Sequence, residues 1–177
     1  MNTAGCFMMV PNKIQDQRGG FVKIFQKSLY DSHGLNCDFT ECYNSFSYSG
    51  VVRGMHFQVP PHEHAKLVRC ISGEVLDVIV DIRKGSPTYM SWEATELNSD
   101  SCNMIYLPAG VAHGFFSVTD ALMEYFVTSE YSFEHDSGIC WNSINFDWPN
   151  RSPIISARDQ SFPRLDEFDS PFIYSSN

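Results

Sequence analysis

The stretch KLVRCI (66–71), Ser72-Gly73 and EVLDVIVDI (74–82) decides the predicted fold. Two runs rich in β-branched residues are joined by a two-residue Ser-Gly link, which is typical of a β-hairpin. Alternation in the second run makes one face wholly apolar, whereas the other mixes aliphatic residues with Asp77 and Asp81. A strand with both faces largely buried fits a barrel or a sandwich in which one face lines a pocket.

Similar runs, separated by turn residues, continue along the chain. The further predicted strands are GFVKIF (20–25), VVRGMHF (51–57), NMIYLP (103–108), HGFFSV (113–118) and LMEYFVTS (122–129). Thr119-Asp120 is predicted to turn the last two into a second hairpin. Residues 26–35 suit one helical turn or a short helix, and the chain from Asp147 is expected to wrap the core as loops. We therefore predict one all-β domain over 1–177, a barrel or jelly roll with short peripheral helices.

Composition and charge exclude several classes of protein. The 177 residues are 43% hydrophobic and 14% aromatic, which argues against a disordered chain. The net charge is −9, so we expect no nucleic-acid partner, because such binding needs clustered cations. A small anionic ligand needs only a few well-placed cations and stays possible. With no apolar run near the roughly 18 residues of a membrane span and no signal peptide, we expect a cytoplasmic protein without membrane contact.

The cysteines also fit the expectation of a cytoplasmic protein. An even number of cysteines suggests disulfides mainly in short secreted chains, and no C-x-x-C occurs here. We expect reduced thiols, several of them buried. The cysteines are Cys6, Cys37, Cys42, Cys70, Cys102 and Cys140.

Two histidine motifs suggest a metal site. His62-x-His64 follows a predicted strand, and PAGVAH (108–113) reads P-x-G-x-x-H. The second motif resembles that of the cupin superfamily, whose jelly rolls often hold a metal with three histidines and a glutamate. The glutamate expected four or five residues after H-x-H is replaced by valine and arginine, a poor setting for a divalent ion. We expect no cofactor and keep a metal-dependent cupin using His62, His64 and His113 as an alternative.

Nine short segments, in order over roughly residues 11 to 163, match one further pattern. They are DQRGGF (16–21), VRGMHFQ (52–58), KLVR (66–69), GEVLDV (73–78), DIRKGSPT (81–88), PAGVAHGF (108–115), WN (141–142), DWP (147–149) and SARD (156–159). Together they resemble the dTDP-4-dehydrorhamnose 3,5-epimerase family. The resemblance implies a metal-free, cupin-like jelly roll that forms a homodimer. It also implies an isomerase acting on a 4-keto-6-deoxy sugar linked to a nucleoside diphosphate.

The resemblance assigns four catalytic residues. His56 matches the base, which suits a side chain whose pKa lies near neutrality. Asp159 matches the carboxylate that fixes the tautomer of that histidine. Tyr125 matches the acid that reprotonates from the opposite face, and Lys66 matches the cation that stabilises the enolate oxygen.

The same resemblance supplies the substrate-binding residues. Arg18 and Arg53 match positions that suit bidentate phosphate contact, and Tyr131 matches the aromatic residue that stacks on the base. The full predicted binding set is Arg18, Lys23, Glu41, Tyr43, Arg53, His113, Tyr131, Asp136 and Arg158.

Several of these binding positions depart from the family pattern. Lys23 stands where the family has a glutamate, and Glu41 and Tyr43 stand where it has a glutamine and an asparagine. Asp136 for glutamate and Arg158 for lysine preserve charge. The catalytic set is intact while donors and acceptors for the ligand change, which suggests the same reaction on a different nucleotide sugar.

We therefore hypothesise a nucleotide-sugar 3,5-epimerase that inverts C3 and C5 through an enolate. A dTDP-linked substrate comes first, and a CDP- or GDP-linked 4-keto sugar, including a heptose, comes second. Alternatives with the same shell are a 3-only epimerase and a 3,4-ketoisomerase. A non-catalytic sugar-nucleotide-binding module is the remaining alternative. The expected homodimer comes from the resemblance, in which an N-terminal segment crosses to the partner.

Overall fold

The computed structural model of the protein describes residues 1–175, so the last two residues of the predicted domain lie outside it. The strands are β1 Phe7–Met9, β2 Lys13–Asp16, β3 Gly19–Val22, β4 Glu41–Ser47, β5 Val52–Gln58, β6 Lys66–Ser72, β7 Glu74–Asp81, β8 Trp92–Asn98, β9 Met104–Leu107, β10 Val111–Ser117, β11 Ala121–Val127 and β12 Asp136–Gly138. The helices are α1 Lys27–Ser32 and α2 Ala157–Gln160, with 3-10 turns at Trp141–Ser143 and Leu165–Glu167.

Within residues 1–175 the strands form two antiparallel five-stranded sheets and one separate hairpin. The first sheet has the order β1-β9-β6-β11-β4, and the second has the order β12-β5-β10-β7-β8. The hairpin pairs β2 with β3. Apolar side chains from both sheets, including Ile105 of the first and Ile79 of the second, pack into one core cluster. The predicted all-β, cupin-like jelly roll is confirmed.

Strand β7 shows why its sequence alternates as it does. Val75 and Ile79 point into the core between the sheets, and both are fully buried. Val78 and Val80 point to the other side and join a cluster with Trp141. Both faces of the strand are therefore covered, as the nearly continuous apolar run predicted.

The two predicted hairpins are wrong. Strands β6 and β7 belong to different sheets, and so do β10 and β11, so each short link is a corner that carries the chain across the sandwich. The two corners pack on each other: the amides of Val118 and Thr119 donate to the carbonyl of Glu74 at 3.0 and 3.3 Å. Gly73 has φ +83°, and a Cβ there would lie 2.1 Å from the carbonyl oxygen of Asp120, so the corner requires glycine. A local turn signal reports that the chain bends, but it does not report which strand comes to lie beside it.

Peripheral segments cover the outer face of each sheet. Tyr30 of α1 packs with Leu67 and Tyr106 of the first sheet, which confirms the short helix predicted within 26–35. The C-terminal chain covers the second sheet with Trp148 and Phe172, mostly as loops, as predicted. These peripheral segments leave one end of the sandwich open between the sheets, where the candidate site lies.

The six cysteines are free thiols, with Cys6, Cys37 and Cys70 buried, as predicted. No helix in the described part of the chain has the length and apolarity needed to cross a membrane.

Candidate active site

A cavity of about 310 Å³ opens between the two sheets. The first sheet contributes Lys66 of β6 and Tyr125 of β11, and the second contributes His56 of β5 and His113 of β10. Strand pairing sets this arrangement, because His113 lies directly opposite His56 in the β10–β5 register. The structure thus brings together residues spread over most of the chain.

His56 forms a hydrogen-bonded pair with Asp159. The distance from His56 Nε2 to Asp159 Oδ1 is 2.9 Å, and the His56 side chain remains about a quarter exposed. Burial lowers the pKa of His56, and the hydrogen bond to Asp159 limits that shift. When Nε2 carries the proton shared with the carboxylate, Nδ1 is left as the basic nitrogen. The His56 side chain is thus a neutral imidazole suited to accepting a proton near pH 7.

The short helix α2 positions Asp159. The Oγ of Ser156 accepts a hydrogen bond from the Asp159 amide at 3.1 Å and caps the first turn. The other carboxylate oxygen, Oδ2, accepts the Gly54 amide at 3.0 Å. Burial alone would raise the pKa of Asp159, but hydrogen bonds from His56 and Gly54 lower it to about 2. Asp159 is therefore a carboxylate at any pH at which the protein is expected to work.

Lys66 is a buried cation on the wall of the cavity. Its side chain is 6% exposed, and its Nζ donates to the carbonyl of His56 at 3.3 Å. Burial lowers its pKa to about 8, while the negative charges of Asp136 and Asp77 hold the pKa from falling further. The ammonium therefore persists at neutral pH in a place with little water to screen it.

Tyr125 lies on the first sheet, across the cavity from the His56 strand. Its hydroxyl is 3.4 Å from the Oγ of Ser45, and its ring stacks on Tyr43 with centroids 4.8 Å apart. Burial raises the pKa of the Tyr125 phenol well above its ordinary value. The phenol thus carries its proton at neutral pH.

A second histidine pair lies deeper in the cavity. His113 Nε2 is 2.7 Å from Asp77 Oδ2, and both residues are buried. Burial raises the pKa of Asp77, and His113 and Lys66 oppose that shift. Asp77 Oδ1 has no hydrogen-bond partner among the described residues, so this oxygen can accept a further hydrogen bond.

Cationic side chains line the cavity although the whole chain is acidic. Arg53 donates from Nε to Ser47 Oγ at 2.8 Å and from NH2 to the Phe46 carbonyl at 2.9 Å. Arg158 donates to Asp136 Oδ2 at 2.5 Å and contributes to the same wall. Together with Lys66, these guanidinium groups supply the few well-placed cations that a small anionic ligand needs.

The mouth of the cavity carries Glu41 and Tyr131. The Tyr131 amide donates to Glu41 Oε2 at 2.7 Å, and the Tyr131 ring is exposed. Glu41 and Tyr43 reach the wall together because alternate residues of β4 face the cavity. An exposed ring at a pocket mouth suits stacking on a flat ligand group.

Arg18 and Lys23 do not reach this cavity. Arg18 lies at the turn of the β2–β3 hairpin, where its 85% exposed side chain pairs with Asp16. Lys23 lines a separate, mainly apolar cavity of about 660 Å³ beside the hairpin and α1. Of the predicted catalytic and binding residues, these two are the ones that the structure leaves apart.

The histidines of the metal alternative do not converge. The His62 ring packs on His135 with centroids 4.4 Å apart, whereas His64 Nδ1 lies 3.2 Å from Gln58 Nε2 and His113 contacts Asp77. In residues 1–175 no three His, Cys, Asp or Glu side chains are grouped so as to hold a metal ion. The metal-dependent cupin is thus not supported.

Several residues in or beside the cavity escaped prediction from the sequence. Ser45 lies near the Tyr125 hydroxyl, Asp77 pairs with His113, and buried Gln58 accepts the Ser132 amide at 2.6 Å. Asp77 had a signal, because it is the polar residue between Val75 and Ile79 on the core face of β7. Gln58 ends the VRGMHFQ segment but was assigned no role, and Ser45 had no signal without its strand partner.

Sequence comparisons relate this chain to known proteins. Residues 1–167 match the sequence model of a family described as dTDP-4-dehydrorhamnose 3,5-epimerase. A protein of that name from Sinorhizobium fredii is 38% identical over 169 residues, covering 93% of this chain and 87% of the relative. A dTDP-4-dehydrorhamnose 3-epimerase from Streptomyces niveus is 36% identical and covers 88% of this chain and 77% of the relative.

A solved structure extends the likeness to the fold. It is the dTDP-6-deoxy-D-glucose-3,5-epimerase of Legionella pneumophila Philadelphia 1 in complex with dTDP-4-keto-L-rhamnose. The TM-score is 0.93 at 31% identity, over 99% of this chain and 97% of that one.

Proposed function

Because this chain belongs to the dTDP-4-dehydrorhamnose 3,5-epimerase family, we propose that it inverts C3 and C5 of a dTDP-linked 4-keto-6-deoxy sugar. The chain is an enzyme of the isomerase class, an epimerase like its relatives. One observation carries the proposal. His56, which is paired with Asp159 of α2, and the Tyr125 phenol stand on opposite sheets across one cavity, with the Lys66 ammonium on its wall.

The proton steps follow from this arrangement. The ketone at C4 acidifies the protons on C3 and C5, and His56 Nδ1 takes one of them. The C–H electron pair moves into an enolate, whose oxygen is stabilised by Lys66. Tyr125 then donates its phenolic proton to the opposite face of the same carbon. Exchange with water returns His56 and Tyr125 to their starting states before the second carbon reacts.

The remaining wall supports binding of a nucleoside diphosphate. Arg53 and Arg158 offer guanidinium donors to phosphate oxygens, a pairing favoured by bidentate geometry. The exposed Tyr131 ring offers a surface for the base. His113, fixed by Asp77, and the carboxylates Glu41 and Asp136 supply polar contacts to the sugar or base.

The choice of dTDP rests on the relatives, several of which carry dTDP sugars in their names. The comparisons offer no support for a CDP- or GDP-linked sugar or for a heptose. Lys23, Glu41 and Tyr43 nevertheless change the contacts offered to the ligand. The Streptomyces niveus relative, a 3-epimerase, keeps single inversion as the second candidate.

Mass spectrometry after incubation in D2O tests proton abstraction at the two carbons. We expect the protein to add two deuterons to a dTDP-linked 4-keto-6-deoxy sugar, one at C3 and one at C5. CDP- and GDP-linked sugars serve as matched controls and should gain none. One deuteron would indicate an enzyme that acts at a single centre, and preference for another base would overturn the dTDP assignment. No exchange on any of them would refute the proposed reaction.

Tyr125→Phe separates abstraction from inversion. The variant keeps the buried ring and its stack on Tyr43 but removes the acid. We expect net epimerisation to fall by about 10²-fold or more, because a positioned general acid contributes on that order. Deuterium exchange at C3 should fall much less, since His56 can return a solvent proton to the face it came from. Equal losses in both rates would show that Tyr125 is not the acid.

We further propose a homodimer that completes the site. The N-terminal segment exposes Val10, Ile14 and Phe21, and Phe21 lies on the hairpin that carries Arg18. Exposed apolar patches of this kind mark interfaces. Crossing of the hairpin to a partner would cover them and carry Arg18 and Lys23 toward the partner's cavity.

Light scattering tests the dimer. We expect a particle of twice the chain mass of 20.1 kDa, and Phe21→Asp should shift it toward the monomer. Val118→Asp, a change at an exposed valine in a corner of the sandwich, is the matched control and should stay dimeric. A wild-type monomer at concentrations that give full activity would refute both the dimer and the assignment of Arg18.

A further inference from the structure

Tyr43 is placed to act on Tyr125 rather than on the ligand alone. Strand β4 forms an edge of the first sheet, and Tyr43 lies directly opposite Tyr125 in its register with β11. The two rings are nearly parallel, at 17°, with centroids 4.8 Å apart. Directly opposed aromatic residues on one sheet face are close enough to stabilise each other's orientation.

Other groups restrain the Tyr125 ring from different directions. His113 meets it at 71° with centroids 6.1 Å apart, and His113 is itself held by buried Asp77. Ser45 lies 3.4 Å from the hydroxyl. The His113 side is thus anchored in the core, whereas the other side depends on Tyr43, a residue that is 40% exposed. Tyr43 is therefore the support of Tyr125 that is easiest to remove without disturbing the core.

We propose that Tyr43 is a positioning residue, whose ring directs the Tyr125 hydroxyl and so determines whether proton abstraction leads to inversion. This inference rests on the proposed function, in which Tyr125 is the acid. Proton return to the opposite face needs the phenol within reach of the carbon, and misplacement by about 1 Å costs on the order of 10²-fold in rate. The family pattern has an asparagine at this position, which offers no aromatic ring to stack.

The Tyr43 hydroxyl is not required for this role. Burial, followed by the charges of Glu41 and Asp136, raises the pKa of Tyr43 to about 12, so the ring is neutral at working pH. A neutral ring stacks through its face, and phenylalanine presents the same face. The proposal therefore distinguishes the ring of Tyr43 from its oxygen.

Four variants make the test. Tyr43→Phe keeps the ring, Tyr43→Leu keeps apolar bulk without a ring, and Tyr43→Ala removes both. Phe46→Ala is the matched control, because Phe46 is a 52% exposed aromatic residue of β4 whose side chain lies outside the cavity lining. For each variant the rates of deuterium exchange at C3 and of net inversion are measured on the same dTDP sugar.

The ratio of inversion to exchange is the informative quantity. We expect Tyr43→Ala and Tyr43→Leu to lower kcat for inversion by about 10- to 100-fold, with kcat for exchange changed much less. Tyr43→Phe should restore the wild-type ratio, and Phe46→Ala should leave it unchanged. An unchanged ratio in the alanine and leucine variants overturns the proposal. Equal losses in the phenylalanine and alanine variants also overturn it, because the oxygen would then be the contributing group.

A second readout does not depend on the reaction. With ring-labelled tyrosine, the NMR signal of Tyr125, assigned through Tyr125→Phe, should shift in Tyr43→Ala and hold its position in Phe46→Ala. An unmoved signal shows that the stack does not form in solution and refutes the inference. If the signal shifts but no variant or wild-type protein exchanges deuterium, the proposed function fails while the contact between the rings stands.

Discussion

Replacement of His56 by asparagine is expected to lower net epimerisation and deuterium exchange together, each by about 10²–10⁴-fold. Both rates begin with removal of a proton from carbon, and His56 is the proposed base, paired with Asp159 at 2.9 Å. The parallel loss separates this variant from Tyr125→Phe, in which exchange outlasts inversion. Exchange at the wild-type rate in His56→Asn would show that another group removes the proton.

The pH dependence of kcat/KM gives an independent check on His56. A base must be unprotonated, and burial lowers the pKa of His56 from 6.5. Activity should therefore rise with pH through an apparent pKa below 6.5. Asp159→Asn removes the carboxylate that raises the His56 pKa, so the same limb should move to still lower pH. A limb that stays in place would mean that a different group titrates there.

The loss of kcat in Asp159→Asn should approach that of His56→Asn. An asparagine amide can donate to Nε2, which favours the tautomer whose Nδ1 carries the proton and cannot act as the base. The Gly54 amide still has an oxygen to bind, so the fold should persist in thermal unfolding. Full activity of the variant would assign Asp159 a structural role.

Replacement of Lys66 by methionine is the second change with a large expected effect. We expect kcat to fall by about 10²–10³-fold, the usual result of removing one group that stabilises a developing oxyanion. Lys66 is 6% exposed, so the charge it offers is weakly screened. Methionine keeps the length of the side chain and leaves no large cavity. Lys84→Met, which breaks an exposed pair with Asp169, is the matched control and should leave kcat unchanged.

The pKa of Lys66 also predicts an alkaline limb in the pH profile of wild-type activity. Burial lowers its pKa to about 8, so its ammonium and the activity should be lost as pH rises through that value. The alkaline limb should be absent in Lys66→Met, because the residual activity no longer depends on that proton. Persistence of the limb would assign it to another group, and wild-type kcat in the variant would remove Lys66 from the mechanism. Thermal unfolding shows whether Asp77 and Asp136 tolerate the missing charge.

The strand positions followed from local patterns. Alternation and β-branched runs predicted β5, β6, β7, β9, β10 and β11, because the preference for extended backbone and the period of two are properties of neighbouring residues. Short strands such as β12 lack the length for such a pattern, and β4 mixes polar residues on both faces. The double burial of β7 was also visible in its sequence. By contrast, which strands pair was not visible, and both predicted hairpins were wrong for that reason.

The kinds of residues in the site were available from the sequence through its resemblance to a family, but their meeting was not. His56 and Asp159 are 103 positions apart, and they meet because α2 returns to β5. The stack of Tyr43 on Tyr125 depends on the β4–β11 register, and a slip by one residue would turn Tyr43 away from the cavity.

The sequence by itself determined the all-β class, the strand periods and the chemistry of each side chain, because these depend on residues within a few positions of one another. The tertiary structure decided the sheet order and the pairing of two histidines with aspartates. It also decided the burial that lowers the pKa of Lys66 and the separation of Arg18 from the cavity. The physical reason is the distance along the chain over which each effect acts. Backbone preference acts between neighbours, whereas strand pairing, desolvation and charge contact depend on distances in space that no local stretch of chain encodes.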